Sequence, residues 1–374
     1  MISPIRITFA LAGRLAPPSL RPCVAAAARE AEVISDGGRK LRFAVGCLCW
    51  AAREAAIARV RNSIEENTMP GLASGLTPRA TGVACALAAT GLGVVYMGSA
   101  GAPPGYPILN AAAAAFGLVG LAALGLAERR GHLAAGPFAL ALGLTILAVS
   151  LWGVEANGVR RWANLGGLVV QPSLVATPLM LALFTKARDG LSTLGLVIAA
   201  AAVAIQPDRG VAGPLAAALI ALTVLRPGRR ELTALAAAAL AFAVTLIRPD
   251  ASPAVPYVDG VLQTAFDAGW VAGTAVIAGS ALLVVPAVLG RRTDPAATAF
   301  CVMWAGLLAA AALANHPTPL VGYGGSAVVG YLLSLIAFPG GAPAHARKGS
   351  AAPTQGGTPP DASALFAIRL RLGG

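Results

Sequence analysis

Between residues 80 and 338 the chain runs through ten apolar segments, approximately 80–100, 106–127, 134–153, 172–186, 191–206, 210–225, 231–248, 260–289, 296–314 and 318–338, divided by polar connectors. A hydrocarbon core about 30 Å thick takes about 20 apolar helical residues to cross, and every backbone polar group inside it must be satisfied internally. The pattern therefore restricts the chain to a membrane-embedded bundle. The fourth to sixth segments are short, as expected where spans tilt or are broken by Pro and Gly beside a cavity. Only 12% of residues are charged against 57% hydrophobic, whereas a soluble globule carries roughly 25% charged residues. Much of the apolar content is Ala and Gly, which lets helices approach closely; a β-barrel would instead alternate residue by residue. The expected fold class is an all-α polytopic membrane protein with about 10 transmembrane helices.

Charge orients the segments. With a cytoplasmic amino terminus, the inner connectors hold Arg129, Arg130, Lys186, Arg188, Arg226, Arg229, Arg230, Arg291 and Arg292. The outer ones hold only Arg160, Arg161, Arg209 and Arg248. Basic residues favour the cytoplasmic side, so both termini are expected there, in a multi-pass protein of a cytoplasmic membrane. Residues 1–78 read as a cytoplasmic extension in which 41–67 could form an amphipathic surface helix, unless Met69 is the true start. Residues 79–339 form the bundle, and 340–374, rich in Gly, Pro, Ala and Ser, read as a disordered cytoplasmic tail. The net charge of +12 comes without a long basic run, and no nucleic-acid partner is expected. Scattered cysteines and the dispersed His132, His316 and His345 form no metal framework. No cofactor is evident, with a divalent cation left open.

Three polar stretches interrupt the apolar landscape: Glu155 to Ser173, with Asn157-Gly158, Arg160, Arg161, Trp162 and Gln171-Pro172-Ser173; Gln206-Pro207-Asp208-Arg209-Gly210; and Pro319 to Ser326, with Tyr323-Gly324-Gly325-Ser326. Pro and Gly at membrane depth are tolerated only where protein or a watery cavity satisfies the freed backbone. The plain alternative for the first stretch is a connector with an Arg/Trp interfacial anchor, and Trp162 reads as an interfacial ring. Gly324 and Gly325 read as positions of close backbone packing.

In this order the three stretches resemble the SEDS family (shape, elongation, division and sporulation; FtsW/RodA/SpoVE-like proteins). That family's pattern is Asn-Gly-x-x-Arg-Trp with Gln-Pro-Ser, then Gln-Pro-Asp-x-Gly, then Pro-Phe-x-Ser-Tyr-Gly-Gly-Ser. The resemblance covers about residues 80 to 340. Departures fall on polar positions: Leu174 stands where the family has Glu, Thr177 where it has Lys, Gly322 where it has Ser, and the outer loop before the eighth segment shrinks to about Pro249 to Val258.

The resemblance implies a glycosyltransferase that polymerises lipid II at the outer face of the bacterial cytoplasmic membrane, with a class B penicillin-binding transpeptidase as partner. Arginine binds phosphate oxygens bidentately, so Arg160 and Arg161, then Arg209 and Arg248, are the candidates for the undecaprenyl-diphosphate leaving group. Asn157, Gln171, Ser173, Asp208, Tyr323 and Ser326 complete the implied substrate-binding set. The family's catalytic acid corresponds best to Asp259, with Asp250 and Asp267 as alternatives, each of which could also be a solvated loop carboxylate. A catalytically silent scaffold is the competing reading, favoured by Leu174, Thr177 and the short loop. A lipid II flippase would need ionisable residues along a path through the bilayer, which the apolar segments scarcely supply.

Overall fold

The computed structural model describes residues 4–65, 77–248, 252–289 and 294–340. The chain begins with helices α1 (Pro4–Leu15), α2 (Arg21–Val33) and α3 (Gly37–Glu65), which pack on one another around Ala12, Ala16, Val24 and Ala51. Helix α3 spans most of the stretch read as an amphipathic helix, and Leu41 and Val45 are exposed on it. Met69, Asp250 and the tail at 341–374 lie outside the described residues.

The apolar segments follow as helices. They are α4 (Pro78–Ser99), α5 (Gly105–Arg129), α6 (Ala135–Trp152), α7 (Pro172–Ala187), α8 (Gly190–Ile205), α9 (Arg209–Leu225), α10 (Arg229–Ile247), the short α11 (Val261–Thr264), α12 (Trp270–Leu282), α13 (Val285–Leu289), α14 (Pro295–Leu313) and α15 (Gly325–Ser334). Among the described residues six stretches, Pro78–Ser99, Gly105–Arg129, Ala135–Trp152, Arg229–Ile247, Trp270–Val288 and Pro295–Leu313, are long and apolar enough to cross a membrane. The protein is a mostly helical, multi-pass membrane protein.

The other four apolar helices, Pro172–Ala187, Gly190–Ile205, Arg209–Leu225 and Gly325–Ala337, are shorter. At 1.5 Å per residue a helix of 16 residues is only about 24 Å long. They can be short because they are largely buried in protein. Leu179, Met180, Leu183 and Phe184 of α7, Leu196 and Val203 of α8, and Leu215 and Leu219 of α9 form the centre of the main apolar core. Helix α6 lies close against α8 because residue 195 is glycine: a Cβ there would stand 2.6 Å from the Ala139 carbonyl oxygen.

Three expectations are corrected. The chain is not all-α: residues 154–170 form an antiparallel sheet ordered β1 (Val154–Ala156), β2 (Val159–Leu165), β3 (Leu168–Val170). Its register pairs Glu155 with Arg160 and Asn164 with Val169. The cause is turn chemistry. Asn157-Gly158 (φ 52° and 78°) and Gly166-Gly167 (φ 65° and 94°) each place two successive residues in the left-handed region, as tight hairpin turns require. The eighth segment is not one helix: α11 passes into a 3-10 turn at Ala265–Ala268 and then breaks at Gly269, whose φ of 112° no other residue adopts readily. The tenth becomes helical only at Gly325, and 318–324 enter the bundle as irregular backbone.

That irregular backbone is satisfied by protein, as membrane depth demands. The Thr318 N–H donates to Val258 O at 2.9 Å and the Tyr323 N–H to Tyr257 O at 2.6 Å. Fully buried Asn110 of α5 donates to Gly322 O at 2.9 Å and accepts from the Gly324 N–H at 3.1 Å. At the opposite end Arg79 of α4 donates to Phe338 O at 2.9 Å and pairs with Glu128 at 2.9 Å, fastening the chain beyond α15 to α4 and α5.

Candidate functional site

The three polar stretches meet at one end of the bundle around a cavity of about 490 Å³. The sheet contributes Asn157, Arg161 and Trp162, and the starts of α7 and α9 contribute Gln171 and Asp208. Asp259 comes from the loop before α11, and Tyr323 and Ser326 from the approach to α15. Arg160, Ser173, Arg209 and Arg248 do not line it.

The starts of α7, α9 and α15 are tied by hydrogen bonds. The Gln171 backbone N–H donates to Ser326 Oγ at 2.9 Å. Its side-chain amide donates to Asp208 Oδ2 at 2.9 Å and to Ser173 Oγ at 3.1 Å, and Ser173 Oγ donates to Asp208 Oδ2 at 3.2 Å. The other Asp208 oxygen caps α9, accepting the Val211 N–H at 3.2 Å. Gln171, Ser173 and Asp208 are all buried. A carboxylate this deep is tolerated because each oxygen meets donors, and its charge lies at the positive end of α9.

Arg160, Arg161, Arg209 and Arg248 have separate environments. Arg161 is buried and donates from Nε to Gln206 O and from Nη2 to Pro207 O, both at 3.0 Å, so its fork braces the turn before α9. Arg160 points to the other face of β2, where it pairs with Glu155 at 2.8 Å and donates to Leu151 O at 2.7 Å. Arg209 donates to Thr245 O at 3.1 Å, and Arg248 to Ala204 O at 3.2 Å. Apart from the Arg160–Glu155 pair, each of these contacts is to a backbone carbonyl at or next to a helix end.

Asp259 stands where the 252–260 loop meets the 315–318 loop, in an isolated antiparallel bridge with Pro317. Its Oδ2 accepts the Val255 N–H at 2.9 Å. Asp267 sits in the 3-10 turn and does not line the cavity. Tyr323 stacks on Tyr106, with ring centroids 3.7 Å apart and planes 11° apart. Gly325 packs tightly, since a Cβ there would come within 2.9 Å of Ala113 Cβ; at Gly324 a Cβ would meet nothing within 4 Å, contrary to the expectation of close packing.

The chain is similar to a rod-shape protein. Two crystal structures of the Thermus thermophilus rod shape determining protein RodA, one of an Asp-to-Ala mutant, match it at 23% identity with a TM-score of 0.47, covering 68% of this chain and 93% and 94% of theirs. No family model and no curated protein matches the chain.

The lining also contains His316 and Thr318, which sequence reasoning passed over. In the sequence His316 is too far from the other histidines to suggest a metal site, and Thr318 falls at the start of an apolar segment. Their proximity to the Tyr-Gly-Gly-Ser stretch was the available signal. Among the described residues no group of three or more His, Cys, Asp or Glu side chains is placed to hold a metal ion.

Proposed function

We propose that this chain is a divergent SEDS protein that acts as a peptidoglycan glycosyltransferase. It polymerises lipid II at the outer face of the bacterial cytoplasmic membrane, in division or cell-shape maintenance, with a class B penicillin-binding transpeptidase as partner. The observation that carries this reading is the single cavity of about 490 Å³ bounded by residues of all three motif stretches together with the carboxylate of Asp259. Polar groups share its wall with Leu109, Val154, Val169 and Leu174. Such a lining suits a substrate with a sugar diphosphate at one end and a hydrocarbon chain at the other.

In this reading the Asp259 carboxylate takes the proton of the acceptor sugar's hydroxyl as that oxygen bonds to the donor's anomeric carbon. The bond from that carbon to the diphosphate breaks, and its electron pair leaves with undecaprenyl diphosphate. A specific observation favours the alternative of a catalytically silent scaffold: Leu174 is buried and apolar on the cavity wall, where the family pattern places a carboxylate. Purified protein incubated with lipid II and its partner transpeptidase tests the two. Glycan polymer is expected, and its absence with the proper partner present would leave the scaffold.

A further inference from the structure

The turn that carries Asp259 is closed by hydrogen bonds within itself. The Val255 carbonyl accepts the N–H of Val258 at 3.1 Å and that of Asp259 at 2.9 Å, and the Asp259 carboxylate accepts the Val255 N–H at 2.9 Å. Tyr257, at the centre of this turn, has a φ of 64°. A bulky side chain rarely takes that conformation, and it persists only where surrounding contacts impose it.

Contacts with two other segments impose it here. The Tyr257 carbonyl accepts the Tyr323 N–H at 2.6 Å, and the next carbonyl, that of Val258, accepts the Thr318 N–H at 2.9 Å. The Tyr257 ring stands edge-on to Tyr106 at the start of α5, with centroids 6.1 Å apart, and the face of Tyr106 is stacked on Tyr323. Tyr257 is thus joined to Tyr323 twice, through the backbone and through the ring of Tyr106. The three rings pack against an apolar cluster separate from the main core, which includes Tyr96, Val261 and Val321.

Glycine at 322 fits the same arrangement. A Cβ there would stand 2.9 Å from the carbonyl oxygen of Thr318, 3.0 Å from that of Tyr257 and 3.3 Å from that of Val258. All three are backbone atoms, which cannot swing aside as the end of a side chain can. Two departures from the family pattern, Gly322 and the shortened loop that ends at Val258, therefore meet at one contact: the loop can seat this closely only where residue 322 has no side chain.

Asp259 and Tyr323 line the cavity, whereas Tyr106 and Tyr257 do not. What the latter two contribute to a reaction there they contribute through their neighbours. A general base must come within hydrogen-bond reach of the proton it takes, and a misplacement of about 1 Å can cost about 100-fold in rate.

We propose that Tyr106 and Tyr257 are positioning residues which, with Gly322 as the seat, clamp the 255–259 turn and hold the Asp259 carboxylate at the cavity. The proposal rests on the glycosyltransferase reading above. It adds that the base is held from the start of α5, outside the three polar stretches.

The test is lipid II polymerisation by the full-length protein with its partner transpeptidase, with kcat and KM for lipid II measured separately. Tyr106→Leu removes one ring, and Tyr257→Asn removes the other while keeping a residue that accepts a positive φ. Each should lower kcat at least about tenfold with KM unchanged, and Tyr106→Phe should keep the original rate. In an Asp259→Asn background neither change should lower the residual rate further, because groups that act as a unit are not additive. Thermal denaturation checks that each variant is folded, and either tyrosine variant decides the matter if the other does not fold.

Full kcat in Tyr106→Leu and Tyr257→Asn, in a protein that polymerises lipid II, would overturn the clamp and leave the enzymatic reading standing. A loss confined to KM, or one that adds in full to that of Asp259→Asn, would also overturn it, since the rings would then serve substrate binding or the bundle at large. Wild-type rates from Asp259→Asn would leave the clamp no base to hold. A wild-type protein that does not polymerise lipid II with its proper partner would remove both proposals.

Discussion

The Gln171 backbone N–H donates to the hydroxyl of Ser326, 155 residues further along the chain, at 2.9 Å. This bond closes the ring of contacts in which α7, α9 and α15 begin beside one another, because Gln171 also holds Asp208 through its side chain. Ser326→Ala removes the acceptor and leaves the N–H facing a methyl group. A loss of about 1–3 kcal/mol is expected, that of an unsatisfied donor in a partly buried position. Thermal unfolding in detergent measures it; an unchanged midpoint would show that water replaces the hydroxyl.

Asp208 accepts hydrogen bonds from Val211, Gln171 and Ser173, so its replacement by Asn sets an NH₂ group against donors. Asp208→Asn should cost about 1–3 kcal/mol. Asp208→Ala should cost more, since it also removes the α9 cap. If unfolding showed the two variants equally stable, the carboxylate would not be the hub of this network.

The adjacent arginines should respond differently to lysine. Arg161→Lys loses a fork that spans two carbonyls in a buried place, and lysine offers no planar equivalent. Arg160→Lys keeps an ion pair to Glu155 that is about half exposed and of the kind contributing roughly 0–1 kcal/mol. Complementation and thermal stability should therefore fall for residue 161 and hold for residue 160.

Asp259→Asn retains an oxygen for the Val255 N–H but cannot take a proton, so folding and membrane insertion should persist. If Asp259 is the general base, lipid II polymerisation should drop by about 10²–10⁴-fold. Wild-type rates from this variant would exclude it from catalysis.

At the other end of the bundle, Asp189 caps α8 by accepting the Ser192 N–H at 2.7 Å. This backbone bond holds its carboxyl below the usual carboxylate range, against the opposing effect of burial and with Arg230 assisting. A depressed folded value means the stabilisation is fully present above the unfolded pKa of about 3.9 and is lost as pH falls through the folded value. Asp189→Ala should cost about 0.5–2 kcal/mol at neutral pH. Its difference from wild type should shrink in strong acid; a difference independent of pH would point to the helix start's shape instead of charge.

Sidedness follows from loop charge and is open to labelling. In a cysteine-free background, Leu165→Cys at the hairpin should react with an impermeant thiol reagent applied from outside, and Ala187→Cys should not. The opposite pattern would remove the enzymatic reading, since the cavity would then face the cytoplasm.

Desolvation at membrane depth confines Pro, Gly and charge to a few connectors, so a bundle of apolar helices and the places of its polar interruptions are legible in the order of residues alone. That order also contained the hairpin, in the Asn157-Gly158 and Gly166-Gly167 pairs, although a polar connector was the simpler expectation. Which polar residues share a surface depends on packing between elements far apart in the chain. Arg160 and Arg161 are neighbours in sequence, but successive side chains of a strand face opposite ways, so one is exposed beside Glu155 and the other buried under the turn before α9. His316 and Thr318 carry no motif of their own. They reach the cavity only because the Asp259–Pro317 bridge and the Thr318 to Val258 bond draw their loop against the one before α11, a pairing set by contacts far apart in the chain.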